Sequence, residues 1–386
     1  MKKQTVLEKH NNYKLNIALV IKNFVATGGA ERYAVEVARR ILKKGHRIDL
    51  YAKNIDKSLT KGMNVFKVPD RLKFSSALSL YSFSKDVSKL LADKKYDVIH
   101  SHDKGCEGHV STLHTFSYKK GMEKMSLIKK LNEFGLSPRA WLYIHMEKKQ
   151  ANLHMLAAVS EIIKNDVKTY YKRTNDVFVI TPGVDIEKFS PQRIAVERSH
   201  ARESENLKPD DIAVLFVGSE FRRKGLDRLI PAIGDNMKLF VVGRQEHMGH
   251  YRHLVKQYNL SDRICFTGLT DNIIKYYALS DIVVLPSISE AFGMTILEGM
   301  ACGLPVVTSS STGCSFLIDT GKNGFVFQNQ RELAGILNTL KDKDIRKRIG
   351  NQAGETAQKH TWDKTARHYE ELYYHIANAN LPQKSS

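Results

Sequence analysis

The sequence predicts an α/β protein made of two doubly wound domains, each a parallel sheet with helices on both faces. Short β-branched runs alternate with helical patterns along the chain, which is typical of a parallel sheet with crossover helices. A second series of the same kind begins at residue 212, after a polar stretch. The 386 residues have room for two or three domains, and a 42% hydrophobic content indicates a globular chain.

The first series begins with a buried strand at residues 15–21, followed by a glycine turn. A helix at 30–42 comes next, because its apolar residues recur at the three- and four-residue spacing of a core-facing stripe. The same signals predict strands at 48–52, 65–68, 96–99, 110–113, 153–160 and 177–181, and helices at 82–92 and 161–171.

The second series follows residues 192–211, which are polar and lack periodicity, as expected of a linker or domain edge. Strands are predicted at 212–217, 239–242, 264–266, 282–285, 306–307 and 324–327, with helices between them. The tail at 362–377 is predicted as a helix with one apolar side. We therefore divide the chain into an N-terminal domain at 1–188, with 362–386 packing back onto it, and a C-terminal domain at 189–361, with a cleft between them.

Positive charge is concentrated in the first half of the chain. Residues 1–185 contain 34 Lys and Arg against 18 Asp and Glu, which gives +16 of the total +19. Such asymmetry predicts an acidic partner for this half: an anionic membrane surface, a phosphorylated acceptor or nucleic acid. No apolar run is long enough to span a membrane, no signal-peptide core precedes the first strand, and the four cysteines form no C-x-x-C pair. We expect a cytoplasmic protein.

Residues 118–134 combine a narrow apolar stripe with many lysines. The stripe consists of Leu127, Ile128, Leu131 and Phe134. A basic amphipathic segment of this kind can lie on an anionic membrane interface. An ordinary helix packed on the sheet, with its lysines in water, explains the pattern equally well.

The stretch at 281–307 contains the strongest functional signal. A β-branched strand ends at Pro286, and a short helix from Met294 is closed by Gly303. Glu290 therefore lies in the loop and Glu298 about one turn into the helix. Free backbone N–H groups at a helix start can hold an anion, and a carboxylate on each side could bind ligand hydroxyls. Two solvated glutamates are the alternative that spacing alone leaves open.

Several motifs occur in an order that resembles glycosyltransferase family 4, the retaining, metal-independent sugar transferases of the GT-B fold. They are GGAER at 28–32, TLHT at 112–115, AVSE at 158–161, PGVD at 182–185, RKG at 223–225, EAFGMTILE at 290–298 and GLP at 303–305. Within the family, VGSEFRRKGLDR at 217–228 looks most like the bacterial lipopolysaccharide-core glucosyltransferases. The resemblance covers nearly the whole chain.

The resemblance implies transfer of a hexosyl unit from a nucleotide diphosphate sugar to a hydroxyl of a lipopolysaccharide-core or lipid-linked glycan acceptor. UDP-glucose is the favoured donor; UDP-N-acetylhexosamine and GDP-mannose remain open. No cofactor or metal is expected. An enzyme of this kind, with its basic half, is expected to work as a peripheral protein on the inner face of the cytoplasmic membrane.

The family motifs also imply a role for each candidate residue. Arg223 and Lys224 would take the charge of the departing diphosphate, Glu298 would bind the ribose hydroxyls, and Glu290 would hold a hydroxyl of the sugar. His114 is implied as catalytic support rather than general base. Backbone contacts to the donor are implied for Gly28, Gly29, Phe292, Gly293, Met294 and Thr295, with Gly293 lacking a Cβ where the ligand approaches.

Other classes fit the sequence less well. A nucleic-acid binder is suggested only by the charge, without a basic aromatic face. A dehydrogenase would need G-x-G-x-x-G in the first turn, which reads NFVATGG at 23–29. His100 and His102 share a strand face and could bind a metal, but no third ligand is evident, and polar contacts at the strand end are the favoured interpretation.

Overall fold

The structure of the protein is a computed structural model. It describes residues 13–69, 71–72, 75–123, 125–126 and 137–379. These residues form two compact units, which we call the N-terminal unit (up to Thr181, and again from Trp362) and the C-terminal unit (Pro182–Thr361). The sequence-based division was placed after residue 188.

The N-terminal unit contains a seven-stranded parallel sheet with the order β5-β3-β1-β6-β7-β8-β9, beside a short parallel pair, β2 and β4. Its strands are β1 (Asn16–Val20), β2 (Asn23–Phe24), β3 (Arg47–Ala52), β4 (Asn54–Ile55), β5 (Asn64–Lys67), β6 (Val98–Ser101), β7 (Val110–Leu113), β8 (Met155–Ala158) and β9 (Val177–Val179). The helices before the C-terminal unit are α1 (Gly29–Lys43), α2 (Ser76–Leu91), α3 (Tyr118–Glu123), α4 (Pro138–Ala151) and α5 (Glu161–Tyr171).

The C-terminal unit contains a six-stranded parallel sheet with the order β12-β11-β10-β13-β14-β15. Its strands are β10 (Ile212–Val217), β11 (Met237–Val242), β12 (Ile264–Gly268), β13 (Ile282–Leu285), β14 (Val306–Ser309) and β15 (Phe325–Phe327). The helices are α6 (Pro191–Ser204), α7 (Leu226–Leu229), α8 (Met248–Gln257), α9 (Ile273–Leu279), α10 (Met294–Ala301), α11 (Gln330–Thr339) and α12 (Lys343–Ala357), and α13 (Trp362–Ala379) returns to the N-terminal unit.

Both sheets confirm the doubly wound prediction and share one topological feature. In each, strand order reverses between the first strand and the fourth of its main series: between β1 and β6 in one sheet, and between β10 and β13 in the other. In open α/β sheets, ligands bind outside the carboxyl ends of the strands at such a switch point. The loops after these four strands are therefore where the fold places a ligand.

The C-terminal helix α13 packs on the N-terminal unit, as the apolar side of the tail predicts. Trp362, Tyr369, Tyr373 and Ile376 are buried. The Tyr33 hydroxyl of α1 donates to the Tyr369 hydroxyl at 3.0 Å. This helix thus contributes both core packing and buried polar groups to the first sheet.

Residues 192–211 were predicted as a linker or domain edge, and the linker interpretation is wrong, since most of the stretch forms helix α6. Ser190 caps the helix by accepting a hydrogen bond from the Arg193 N–H, and Pro191 occupies its first turn. Arg198 and Arg202 reach the two carboxylate oxygens of Asp281 and the carbonyls at the end of α9. A helix held by arginines shows little apolar periodicity, and for that reason the pattern did not reveal it.

The basic segment at 118–134 is described only in part. Its first residues form α3, where Lys119 donates to the Tyr170 carbonyl at 3.1 Å and the Lys120 ammonium lies 3.5 Å from the Phe116 ring centroid. The apolar stripe of Leu127, Ile128, Leu131 and Phe134 lies outside the described residues. Among the residues that the structure describes, no helix has the length and apolar character needed to cross a membrane.

Candidate functional site

The switch point of the C-terminal unit brings two predicted motifs into contact. The loop after β10 carries Arg223, Lys224 and Gly225, and the loop after β13 carries Glu290. Gly225 has a φ of +79°, and a Cβ there would lie 2.0 Å from the Pro286 carbonyl oxygen. The Ile288 N–H donates to the Arg223 carbonyl at 2.9 Å. Glycine at this position is therefore required for the two loops to approach so closely.

Glu290 is the centre of a charged cluster. Its Oε2 lies 3.1 Å from Nη1 of Arg223 and 3.2 Å from Nζ of Lys224. The Arg223 guanidinium also donates to the Ser289 carbonyl at 2.8 Å and to Glu220 Oε2 at 2.6 Å. The two cations proposed for phosphate and the carboxylate proposed for the sugar thus form one ion-paired group.

The electrostatics of this cluster keep Glu290 ionised. Burial acts to raise the pKa of Glu290, but the neighbouring Lys224 and Arg223 outweigh it and hold the pKa below its ordinary value. The Glu290 and Lys224 side chains are only 14% and 16% exposed. A compact, partly dehydrated set of two cations and one carboxylate can exchange an internal ion pair for contacts with an anionic ligand.

Glu298 lies inside α10, as the spacing predicts, and is 7% exposed. The Tyr277 hydroxyl of α9 donates to Glu298 Oε2 at 2.8 Å and to the Thr295 carbonyl at 3.3 Å. One oxygen of the carboxylate is thereby oriented by a neighbouring helix. Tyr277 was not among the predicted site residues, and nothing in its sequence context distinguishes it from an ordinary core tyrosine.

Gly293 is needed for a different reason from the one that the sequence suggested. We expected it to make room for a ligand, but it has a φ of +97° and a Cβ would lie 2.7 Å from Thr312 Cγ2 and 3.1 Å from Leu285 Cδ2. The protein itself fills that space. The side chain of Phe292 is buried and its carbonyl accepts from the Cys314 N–H at 2.7 Å. Backbone conformation therefore accounts for the glycine.

We expect Gly293→Ala to reduce the free energy of unfolding by about 2–4 kcal/mol, since it adds left-handed strain to a steric clash. Denaturant unfolding followed by circular dichroism measures this. Gly249→Ala is the control: Gly293 immediately precedes α10, whereas Gly249 lies in the first turn of α8, with no atom within 4 Å of the added Cβ. A change of less than about 1 kcal/mol is expected there. Equal stability of the two variants would contradict this account of Gly293.

At the switch point of the N-terminal unit, Gly28 and Gly29 precede and begin α1. Gly28 has a φ of +96°, and a Cβ there would lie 2.2 Å from Oε2 of Glu31, whereas a Cβ at Gly29 would meet no atom within 4 Å. The Glu31 carboxylate thus folds back over the start of the helix. Its negative charge occupies the place where we expected an anion. Gly29 keeps an open approach.

His114 follows β7 and contacts His102, which follows β6. His114 Nε2 lies 2.9 Å from His102 Nδ1, and the two rings are stacked with centroids 5.2 Å apart. Tyr33 of α1 packs edge-on against His114 at 5.1 Å. For His102 the sequence favoured polar contacts at the strand end over metal binding, and the contact with His114 is of that kind. The partner itself was not predicted; the spacing H-x-H and T-x-H at the ends of adjacent strands is the signal that could have indicated the pair.

An open cavity of about 810 Å³ adjoins the charged cluster of the C-terminal unit. Glu220, Arg222, Arg223, His247 and His250 line it together with buried apolar side chains. The cavity lies at the carboxyl ends of β10 and β11, beside the switch point. It has the size and mixed lining of a small-molecule site.

Two doubly wound units, with a cation–carboxylate cluster at the switch point of the second, are what the resemblance to glycosyltransferases of the GT-B fold predicts. Comparison with known families agrees: residues 27–188 match the model described as Glycosyltransferase Family 4, and residues 197–356 match the model described as Glycosyl transferases group 1. The chain therefore belongs to the family 4 type of glycosyltransferases, and this prediction is confirmed.

Individual relatives are distant but extend over almost the whole chain. The D-inositol 3-phosphate glycosyltransferase of Kribbella flavida is 27% identical, with 88% of each chain covered. The lipopolysaccharide glucosyltransferase WaaG of Escherichia coli is 22% identical, over 96% of this chain and 97% of its own. A crystal structure of WaaG superposes with a TM-score of 0.80 at 20% identity, covering 92% of this chain and 99% of that one. Anabaena HepE in complex with UDP-glucose gives 0.73 at 19% identity, covering 94% and 100%.

Proposed function

We propose that the protein is a retaining, metal-independent hexosyltransferase that uses a nucleotide diphosphate sugar, with UDP-glucose as the favoured donor. The acceptor is a hydroxyl of a lipopolysaccharide-core or lipid-linked glycan. The observation that carries the proposal is the convergence of Arg223 and Lys224 on Glu290 at the switch point of the C-terminal sheet.

The proposed chemistry needs charge stabilisation more than a strong base. As the bond from the anomeric carbon to the phosphate oxygen breaks, negative charge builds up on the departing diphosphate. The Arg223 guanidinium can donate two parallel hydrogen bonds and the Lys224 ammonium supplies a point charge. Both are held in place before the ligand arrives, and such preorganised groups stabilise a transition state more effectively than water does.

The remaining roles follow from the same proposal. Glu298, with one oxygen oriented by Tyr277, accepts hydrogen bonds from the ribose hydroxyls. Glu290 holds a hydroxyl of the sugar, and the backbone at 292–295 contacts sugar and phosphate. The acceptor oxygen attacks from the face that the phosphate leaves, and the departing phosphate oxygen takes the acceptor proton. Retention of anomeric configuration is the result. His114 supports this step by hydrogen bonding.

Two similar proteins support UDP-glucose as the favoured donor: HepE was solved in complex with UDP-glucose, and WaaG is a glucosyltransferase. A thermal-shift and hydrolysis screen across nucleotide sugars tests it. We expect UDP-glucose to raise the melting temperature and to be hydrolysed slowly. A response to GDP-mannose or UDP-N-acetylhexosamine alone would indicate the alternative, a mannosyl- or N-acetylhexosaminyltransferase of polysaccharide or glycolipid synthesis. No response to any nucleotide sugar would contradict the proposal.

The lipid-linked acceptor is supported by the +16 charge of residues 1–185. An enzyme that acts on such an acceptor works on an anionic membrane surface, where each lysine near the lipid adds to binding. Co-sedimentation with phosphatidylglycerol vesicles is expected, and phosphatidylcholine vesicles should retain little protein. Equal or absent binding to both would contradict a role for the basic segment at 118–134 in membrane contact.

A further inference from the structure

We propose that His102 is a positioning residue: it donates a hydrogen bond from Nδ1 to Nε2 of His114, so that His114 carries its proton on Nδ1 and presents an N–H donor to the ligand. The role of the donor in transfer rests on the proposed function. The assignment of the proton rests on the contacts of the N-terminal unit alone.

The two rings are close enough to share one hydrogen bond. Nδ1 of His102 and Nε2 of His114 are 2.9 Å apart. Burial, assisted by the neighbouring His100 and His114, lowers the pKa of His102 well below its ordinary value, and burial lowers the pKa of His114 to about 3. Both rings are therefore neutral at physiological pH, and each carries one N–H. One ring must donate and the other must accept.

The second nitrogen of His102 decides which ring donates. His102 is 7% exposed, and its Nε2 is buried without a hydrogen-bond partner among the described residues. A proton on that nitrogen would be an orphaned buried N–H, a rarer and more costly situation than an unused lone pair. The proton of His102 is therefore on Nδ1, and it is donated to His114 Nε2.

Neighbouring groups prevent His102 from turning to another partner. Its ring lies 4.2 Å, centroid to centroid, from that of His100. His100 is fixed in turn by the Tyr373 hydroxyl at 2.6 Å and the Thr112 hydroxyl at 2.7 Å, and Tyr369 stacks on it at 5.0 Å. Tyr369 and Tyr373 of α13 thus fix His100, and the His100 ring in turn packs against His102.

The arrangement has a chemical consequence for His114. Its Nε2 lone pair is used by His102, and its Nδ1 is protonated, so no lone pair remains to accept a proton. His114 is half-buried, and its Nδ1 edge would meet the ligand. It can therefore act as a neutral donor to an oxygen of a sugar or phosphate, and it cannot act as general base.

The proton assignment is tested by long-range ¹H–¹⁵N NMR of the histidine rings in the full-length protein, with His114 identified through His114→Gln. We expect His114 in the Nδ1–H form in the wild type and in His102→Asn, whose side-chain amide can place a donor near the position of Nδ1. In His102→Phe, which keeps a ring but no donor, the Nδ1–H form should cease to dominate. A wild-type His114 in the Nε2–H form would overturn the proposal.

The role in transfer is tested with the same variants. His102→Phe should lower kcat about 10- to 100-fold while KM for the donor changes less than about twofold, since only the reacting geometry is lost. His102→Asn should recover most of that loss, and His145→Asn, at an exposed position of α4, should match the wild type. Equal losses in the Phe and Asn variants would overturn the positioning role. If the wild type transfers no sugar, the proposed function fails and the NMR result still decides the proton assignment.

Discussion

Lys224→Ala is expected to lower kcat/KM for sugar transfer by about 10²–10³-fold, the effect of removing one preorganised charge-stabilising group. The loss should appear mainly in kcat, because the diphosphate is most negative as it departs. Glu290 would keep Arg223 as a partner 3.1 Å away, so the buried carboxylate is not left unpaired. Steady-state kinetics with the donor identified by the nucleotide-sugar screen measures the change.

Two further variants separate charge from packing in this test. Lys224→Met retains an unbranched stem, and the Lys224 stem runs over Gly218, where a Cβ would lie 2.4 Å from Lys224 Cδ. The Lys224→Met variant should lose as much activity as Lys224→Ala, while its melting temperature should equal that of the wild type. Lys256→Ala, at an exposed position near the end of α8, should retain activity within about threefold. A wild-type rate in Lys224→Met would contradict the assigned role.

Predicting the fold from sequence succeeded where burial dictates the pattern. Strands such as Ile212–Val217 and Ile282–Leu285 are buried along almost all of their length, and each is preceded by an aspartate and followed by glycine or proline, so their predicted limits agree with the structure. Helix α6 was missed because its stability comes from Arg198 and Arg202, whose partners lie about 80 residues away. Apolar periodicity in the sequence indicates which side of a helix is buried, and it gives no information about polar contacts with a distant loop.

For the candidate site, the sequence predicted which motifs lie near one another better than it predicted the individual side-chain contacts. Arg223, Lys224 and Glu290 follow neighbouring strands of a parallel sheet, and their convergence is a consequence of the strand order. The hydrogen bond of His102 to His114 depends on ring rotation as well, and no spacing rule specifies that. At Gly293 the sequence pointed to a steric need for glycine, but the atoms that a Cβ would meet belong to Thr312 and Leu285.

Glu298→Gln is expected to raise KM for the donor by about 10- to 100-fold and to leave kcat at saturating donor within about threefold. Two ribose hydroxyls that donate to one carboxylate contribute roughly 1.5–3 kcal/mol, because hydrogen bonds to charged groups are the strong ones. Glutamine keeps the shape of the side chain and can still accept from Tyr277, so the fold should be unaffected. Isothermal titration with the nucleoside diphosphate gives the same loss without turnover.

A donor that lacks the 2′-hydroxyl turns this loss into a test of direct contact. If Glu298 binds the ribose, the wild type should bind the deoxy donor more weakly than the full donor. Glu298→Gln should bind the two donors almost equally, because the charged acceptor of the 2′-hydroxyl is already absent in this variant. The coupling energy of such a cycle reports the contact itself, whereas general damage to the site would make the two losses additive. Tyr277→Phe serves as the matched control. It removes the hydrogen bond that the Tyr277 hydroxyl donates to Glu298 Oε2 but keeps the carboxylate, so its affinity should fall on loss of the 2′-hydroxyl by as much as that of the wild type. Additive losses in the glutamine variant would place the ribose elsewhere and would leave Glu298 as a residue of the helix core.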